Sequence, residues 1–192
     1  MKKICFAAAL LLGTATAASA QSNAVKANIF SPLVKTGSFF YERQLGEHRS
    51  AQLGGLFTSW GTNGTSISGF ALTPEYRFYL SEKKTGLEGF YLGPYVRYQN
   101  LTLKNETEIA YPDEDGNLSS MSGKAALNTL GGGVVAGYQL QFKKRFTLDT
   151  FLGPSYNGGQ IKVTAGGDNQ TFSTDAFTGF GIRTGVTFGV AF

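Results

Sequence analysis

Large apolar residues recur along this chain at every second position. At 180–192, Phe180, Ile182, Val186, Phe188, Val190 and Phe192 alternate with a set made almost wholly of Gly, Thr, Ala and one Arg. A two-residue period puts the two sets on opposite faces of a strand. Eight segments read this way, at 24–31, 37–45, 50–60, 68–80, 89–103, 125–140, 146–156 and 179–192. Most reach the roughly 9 to 11 residues that a tilted strand needs to cross a bilayer. The connections alternate in length: 46–49, 81–88 and 141–145 are short, whereas 61–67, 104–124 and 157–178 are mostly longer, and a weak first loop at 32–36 falls on the long side.

The two faces differ in volume. In the fourth segment Phe70, Leu72, Pro74, Tyr76, Phe78 and Leu80 share one face, and Ala71, Thr73, Glu75, Arg77 and Tyr79 the other. In the sixth, Leu130, Val134, Ala136, Tyr138 and Leu140 oppose Thr129, Gly131, Gly133, Val135, Gly137 and Gln139. Beyond the leading stretch no segment is continuously apolar, so helices cannot span a bilayer here, and a closed barrel is the remaining way to satisfy every backbone group in lipid. The pattern predicts an all-β, eight-stranded antiparallel up-and-down transmembrane β-barrel. Such a barrel is wide enough only to be filled by side chains, so Gly and charge belong inside and the large apolar residues outside.

Outward aromatics are expected at two heights, Phe57, Phe70, Tyr98, Tyr156 and Phe180 above and Phe78, Phe90, Tyr138, Phe146 and Phe188 below. The eight-residue step from Phe180 to Phe188 spans about 20 Å in a tilted strand, close to the apolar height of such barrels. The alternative is a soluble eight-stranded carrier of lipocalin type with its apolar face turned inward.

The beginning of the chain bears on compartment. Met1-Lys2-Lys3, the apolar run 4–12 and Ala18-Ser19-Ala20 make a signal peptide at 1–20, with export of a barrel domain at 21–192. Cys5 is the one cysteine and lies inside the signal, so neither a lipid anchor nor thiol chemistry is expected. Without Lys2 and Lys3 the formal charge falls from +4 to +2, too little to suggest a nucleic-acid partner.

The stretches S-F-F-Y-E-R-Q-L (38–45), T-P-E-Y-R-F-Y-L (73–80) and G-F-Y-L-G-P-Y-V-R-Y (89–98) resemble those of a family of outer-membrane β-barrel domains. The chain as a whole is similar to the small eight-stranded barrels that include the membrane domain of outer membrane protein A. The resemblance implies the outer membrane of a Gram-negative cell, both termini periplasmic, with outer-membrane lipid and lipopolysaccharide as surroundings. It also implies that Phe192, with Phe188 and Val190, forms the terminal mark read by the barrel-assembly machinery. It brings no activity with it. No domain is expected after Phe192.

Candidate chemistry is sparse. The inward parity collects Glu42, Glu75 and Asp149 with Arg77, Arg97 and Arg183, a balanced lumen charge network that resembles the salt-bridge plug of outer membrane protein A and that pairing would make tolerable. With Leu80 opposite Phe90, Glu75 faces Tyr95 and has Arg97 as its diagonal neighbour. His48, between Glu47 and Arg49 in a periplasmic turn, reads as a solvated residue remote from outer-leaflet substrates, so no catalytic residue is assigned. Asp113-Glu114-Asp115-Gly116-Asn117 lacks the ligand spacing of a calcium loop, and Gly131-Gly132-Gly133 continues into a strand rather than a helix, so it is no phosphate cradle. No metal and no cofactor is expected. Two functions remain: a non-enzymatic barrel with a filled lumen and a structural or surface-interaction role through loops 104–124 and 157–178, toward a partner the sequence does not name; and a narrow channel or small-solute or lipid-binding barrel.

Overall fold

The computed structural model describes residues 22–62, 65–81, 87–105, 110–112, 118–120, 123–143, 145–165 and 178–192. The expected signal peptide, Cys5, the cluster at 113–117 and most of the loop at 166–178 lie outside the described residues. Among the described residues no helix is long and apolar enough to cross a membrane.

Ten strands are present among the described residues: β1 (Asn23–Asn28), β2 (Thr36–Gly46), β3 (Arg49–Thr62), β4 (Thr65–Tyr79), β5 (Gly89–Asn105), β6 (Ala110–Pro112), β7 (Leu118–Ser120), β8 (Gly123–Phe142), β9 (Phe146–Ala165) and β10 (Gly179–Ala191). Eight of them close a barrel in the order β1-β10-β9-β8-β5-β4-β3-β2, while β6 and β7 pair only with each other. Every pairing is antiparallel, and β1 closes the wall against β10 with Val25 opposite Val190. The start of β1, the end of β10 and the turns after β2, β4 and β8 share one end, the near end; the 3-10 turn Ser31–Val34 and the β3–β4 turn lie at the far end.

Alternation decides the faces. Ala71, Thr73, Glu75, Arg77 and Tyr79 are all buried, whereas Phe70, Leu72, Pro74, Phe78 and Leu80 are exposed. A soluble carrier with an apolar interior is therefore overturned: the volume-rich face is outside. All ten girdle aromatics are exposed. At the far level Phe70 and Tyr98 have ring centroids 6.1 Å apart and Tyr156 and Phe180 5.0 Å apart; at the near level Phe146 stacks on Phe188 at 6.0 Å. The β4–β5 ladder passes over Pro74 and Pro94, which have no N–H to give it.

Two connections differ from expectation. Strands β3 and β4 pair up to Thr62 opposite Thr65, so 61–67 is a tight hairpin and not a loop. Strand β9 runs on to Ala165, paired with Lys124 of β8, so 157–165 is wall. At 157–160 the run Asn-Gly-Gly-Gln interrupts the alternation that marks a strand in the sequence, although backbone pairing continues.

Inward glycines leave room for large side chains. A Cβ on Gly137 would collide with the Tyr91 ring and hydroxyl and come within 2.7 Å of the Thr150 carbonyl, whereas one on Gly158 would meet only the Leu130 carbonyl at 3.7 Å. Gly137→Ala is thus expected to destabilise the barrel by about 1–3 kcal/mol through overpacking, and Gly158→Ala by less than about 0.5 kcal/mol. Urea unfolding in detergent micelles, followed through the single tryptophan, Trp60, checks the pair. Equal midpoints for the two variants would refute this account of the glycines.

Candidate functional site

The alternating pattern aims one long polar side chain per turn of the wall into the lumen, and there these chains meet across the axis. Lys26 of β1 is the centre. Its Nζ donates to Glu42 Oε2 at 2.6 Å, Gln139 Oε1 at 2.8 Å and Asp149 Oδ2 at 3.1 Å, which uses all three ammonium protons. Arg77 of β4 lies beside it. Its Nη1 reaches Asp149 Oδ2 at 2.8 Å, Gln139 Oε1 at 3.2 Å and Glu42 Oε2 at 3.4 Å, and its Nε donates to Glu75 Oε1 at 2.6 Å.

Neutral donors complete the carboxylates. Ser50 Oγ and Tyr79 OH donate to Glu42 Oε1 at 2.5 and 2.7 Å, and Tyr91 OH donates to Asp149 Oδ1 at 2.8 Å. The Arg77 guanidinium also lies over the Tyr91 ring, 4.1 Å from its centroid. The side chains of Lys26, Glu42, Glu75, Arg77 and Asp149 are all completely buried. At the near end Leu87, 1 % exposed, folds from the turn after β4 into the lumen, where Gln139 Nε2 donates to its carbonyl at 2.9 Å. It joins Ala24, Tyr79, Tyr91, Val135 and Ala191 in a small apolar stopper.

Five of the six charges expected in the lumen meet in one connected network: Glu42, Glu75, Arg77, Asp149 and Arg183. Arg183 joins through Nη1 to Glu75 Oε2 at 2.5 Å. Arg97 does not join. Glu75 faces Tyr95 in register, but its carboxylate oxygens go to Arg77, two residues on along the same strand, and to Arg183 of β10 rather than to the diagonal neighbour. Sequence reasoning placed Gln139 on the inner face without joining it to the charges, and missed Lys26 and Leu87. The signal for Lys26 was its parity with Ala24 and Asn28, opposite Val25; Leu87 had no periodic signal because it sits in a turn.

His48 also differs from expectation. It is half-buried, its Nε2 is shielded without a hydrogen-bond partner, and its carbonyl accepts the Tyr79 N–H at 2.8 Å, so it is a packed turn residue and not a solvated one. Phe188 and Phe192 lie exposed on the outer face and Val190 beside them is half-buried; Gly131, Gly132 and Gly133 lie within β8, a strand. Among the described residues no three His, Cys, Asp or Glu side chains could hold a metal ion.

Residues 6–171 match the model of a family described as Protein of unknown function (DUF3575). No curated protein matches the chain. Among solved structures, the chain is similar to Acinetobacter baumannii CarO2 at 14% identity and a TM-score of 0.48, covering 89% of this chain and 96% of that one. It is likewise similar to Acinetobacter baumannii CarO at 12% identity and a TM-score of 0.47, covering 91% and 97%.

The network makes its own test. Lys26→Met leaves Glu42 and Asp149 short of a cation in a closed interior, an expected loss of about 3–5 kcal/mol. Adding Glu42→Gln removes the stranded charge, so the double variant is expected to lose much less than the sum of the two single losses. Additive losses in urea unfolding would mean that the two side chains do not interact.

Proposed function

The chain belongs to the DUF3575 family, a membership that fixes no chemistry, and we propose that it is a non-enzymatic outer-membrane barrel, closed to solutes, that anchors and presents its far end at the cell surface. The observation that carries this reading is the sealed lumen: Lys26 and Arg77 held by Glu42 and Asp149 at complete burial, with Leu87 beneath them. A path for solutes would have to break several charge-assisted bonds in a medium that penalises each broken one. This weighs against the channel alternative.

The outer face supports lipid as the surrounding phase. A belt of exposed apolar side chains between two aromatic levels is what a bilayer solvates and water does not. A shallow groove of about 630 Å³ on the outer wall, lined in part by Tyr41, Leu53, Pro74, Tyr76 and Pro94, suits an acyl chain.

The far end supports a surface role. Strands β8 and β9 have 20 residues each, about twice what crossing requires, so the wall stands well above the belt. There Lys104 and Lys124 are exposed and directly paired. Like charges opposite each other are unfavourable, and a phosphate such as those of lipopolysaccharide would relieve them. With the chain ends at the near end, the reading places both termini in the periplasm.

Two measurements test this reading. Val134, exposed and paired with Pro94 midway between the aromatic levels, is the place to put a charge into the belt. Val134→Arg is expected to cost about 2–4 kcal/mol in lipid vesicles, and no cost would place the belt in water. In planar bilayers the wild type is expected to show no steady conductance, while Lys26→Ala combined with Arg77→Ala raises it. A large steady conductance in the wild type would replace the closed anchor with the channel.

A further inference from the structure

Among the described residues the lumen is not electrically balanced. Lys26, Arg77, Arg97 and Arg183 face three carboxylates, Glu42, Glu75 and Asp149, and every one of those carboxylates is already engaged: Glu42 and Asp149 by Lys26 and Arg77, Glu75 by Arg77 and Arg183. The cation in excess is Arg97. Among the described residues no carboxylate pairs with it, and its Nε is buried without a hydrogen-bond partner.

Arg97 borders a cavity. Together with Arg183 it lines a space of about 80 Å³ on the far side of the network, where Asn28, Ser38, Thr73 and Phe151 also contribute. Ser38 and Thr73 are buried. Asn28 accepts the Phe30 N–H on its Oδ1 at 2.9 Å, and its Nδ2 is turned to the lumen, 2.9 Å from where a Cβ on Gly185 would sit. The Arg183 guanidinium lies 4.3 Å from the Tyr95 ring centroid and 4.9 Å from that of Phe151. Stacking of this kind fixes the guanidinium plane while leaving its edge N–H groups available.

We propose that this cavity is a binding site for one small oxyanion, a phosphate or the carboxylate head of a small solute, held between Arg97 and Arg183. Arg97 is half-buried with its Nε shielded and unpartnered; a guanidinium so placed is under-satisfied, and an anion in reach of two guanidinium edges supplies the missing charge-assisted bonds. The donors around it have the right sense: two guanidinium groups, an amide and two hydroxyls, with no uncommitted carboxylate among the described residues that line it. The volume fits two or three water-sized groups at about 30 Å³ each, which admits one oxyanion and excludes a drug-sized body. The site lies beyond the seal, so binding requires no passage through the barrel. It stands or falls separately from the closed-anchor reading, which conductance tests.

The test uses the folded full chain in uncharged maltoside micelles. Sodium phosphate, and separately sodium acetate, is titrated at constant ionic strength while the Nε–Hε resonances of the arginines are followed by NMR. A saturable shift at Arg97 and Arg183, and not at Arg77, is expected with at least one of the two. Response to phosphate alone assigns a phosphate ligand, and response to acetate as well admits carboxylates. Arg97→Gln is expected to weaken binding about ten- to hundredfold, and Arg97→Lys, which keeps the charge but loses the fork, to weaken it less. Heat-modifiable gel mobility verifies that each variant is folded. No saturable shift in the wild type, or equal affinity in wild type and Arg97→Gln, overturns the proposal.

Discussion

The barrel depends on one electrostatic constraint: charges enclosed by an apolar wall must be neutralised by each other. Lys26 and Arg77 bring two cations to Glu42 and Asp149, and Gln139, Ser50, Tyr79 and Tyr91 add hydrogen bonds to the same groups, while the Nη2 of Arg77 is buried without a partner. Contributions come from β1, β2, β3, β4, β5, β8 and β9, so the network ties almost the whole circumference to the axis. Register follows. A slip of one residue in any of these strands would carry its polar side chain to the outer face and an outward one inward. Polar filling also keeps the two faces chemically distinct, which an apolar core would not do in a barrel whose outside is already apolar.

Volume is the companion constraint. Eight strands enclose little space, and the polar groups that fill it are bulky: Arg77, Tyr91, Lys26 and Gln139 are among the largest fully buried side chains. Glycine on the same face makes the difference. Gly93 lies where a Cβ would come within 3.2 Å of Glu75 Oε1, and Gly54 where one would come within 2.9 Å of the Phe40 ring. The high glycine content is thus spatial in origin at these positions, and no special backbone angle is needed there.

Because the wall is periodic, most of it was legible in the sequence. Eight strands, their faces and the two aromatic levels follow from parity alone, and parity also put Glu42, Glu75, Arg77, Asp149 and Arg183 on the inner face. What parity does not contain is the pairing across the axis. It sees neighbours along the wall, so it linked Glu75 to Arg97, while the closed structure links Glu75 to Arg183 on a strand 108 residues away in sequence. Lys26 was hidden for a different reason: β1 is only six residues long, and a lysine in a short segment resembles a solvated end. The extension of β9 to Ala165 was hidden because Gly158-Gly159-Gln160 has loop composition, while the backbone pairing that makes it a strand is independent of side chains.

The lumen is therefore asymmetric along its axis, and the asymmetry locates function. Toward the near end it is closed by Leu87 and by a cluster in which every carboxylate is paired with a cation. Beyond Glu75 the balance reverses among the described residues, since Arg183 and Arg97 both line the cavity there and Glu75, which pairs with Arg183, is shared with Arg77. A closed lower half fixes the upper half in place, because Glu75 is oriented by Arg77 from below and orients Arg183 from its other oxygen. Rigidity at the seal thus becomes preorganisation at the far mouth, where a guanidinium held in a stacked plane loses little freedom on meeting an anion. The structural plug and the chemically open end are parts of one device, and Glu75 is the residue that joins them.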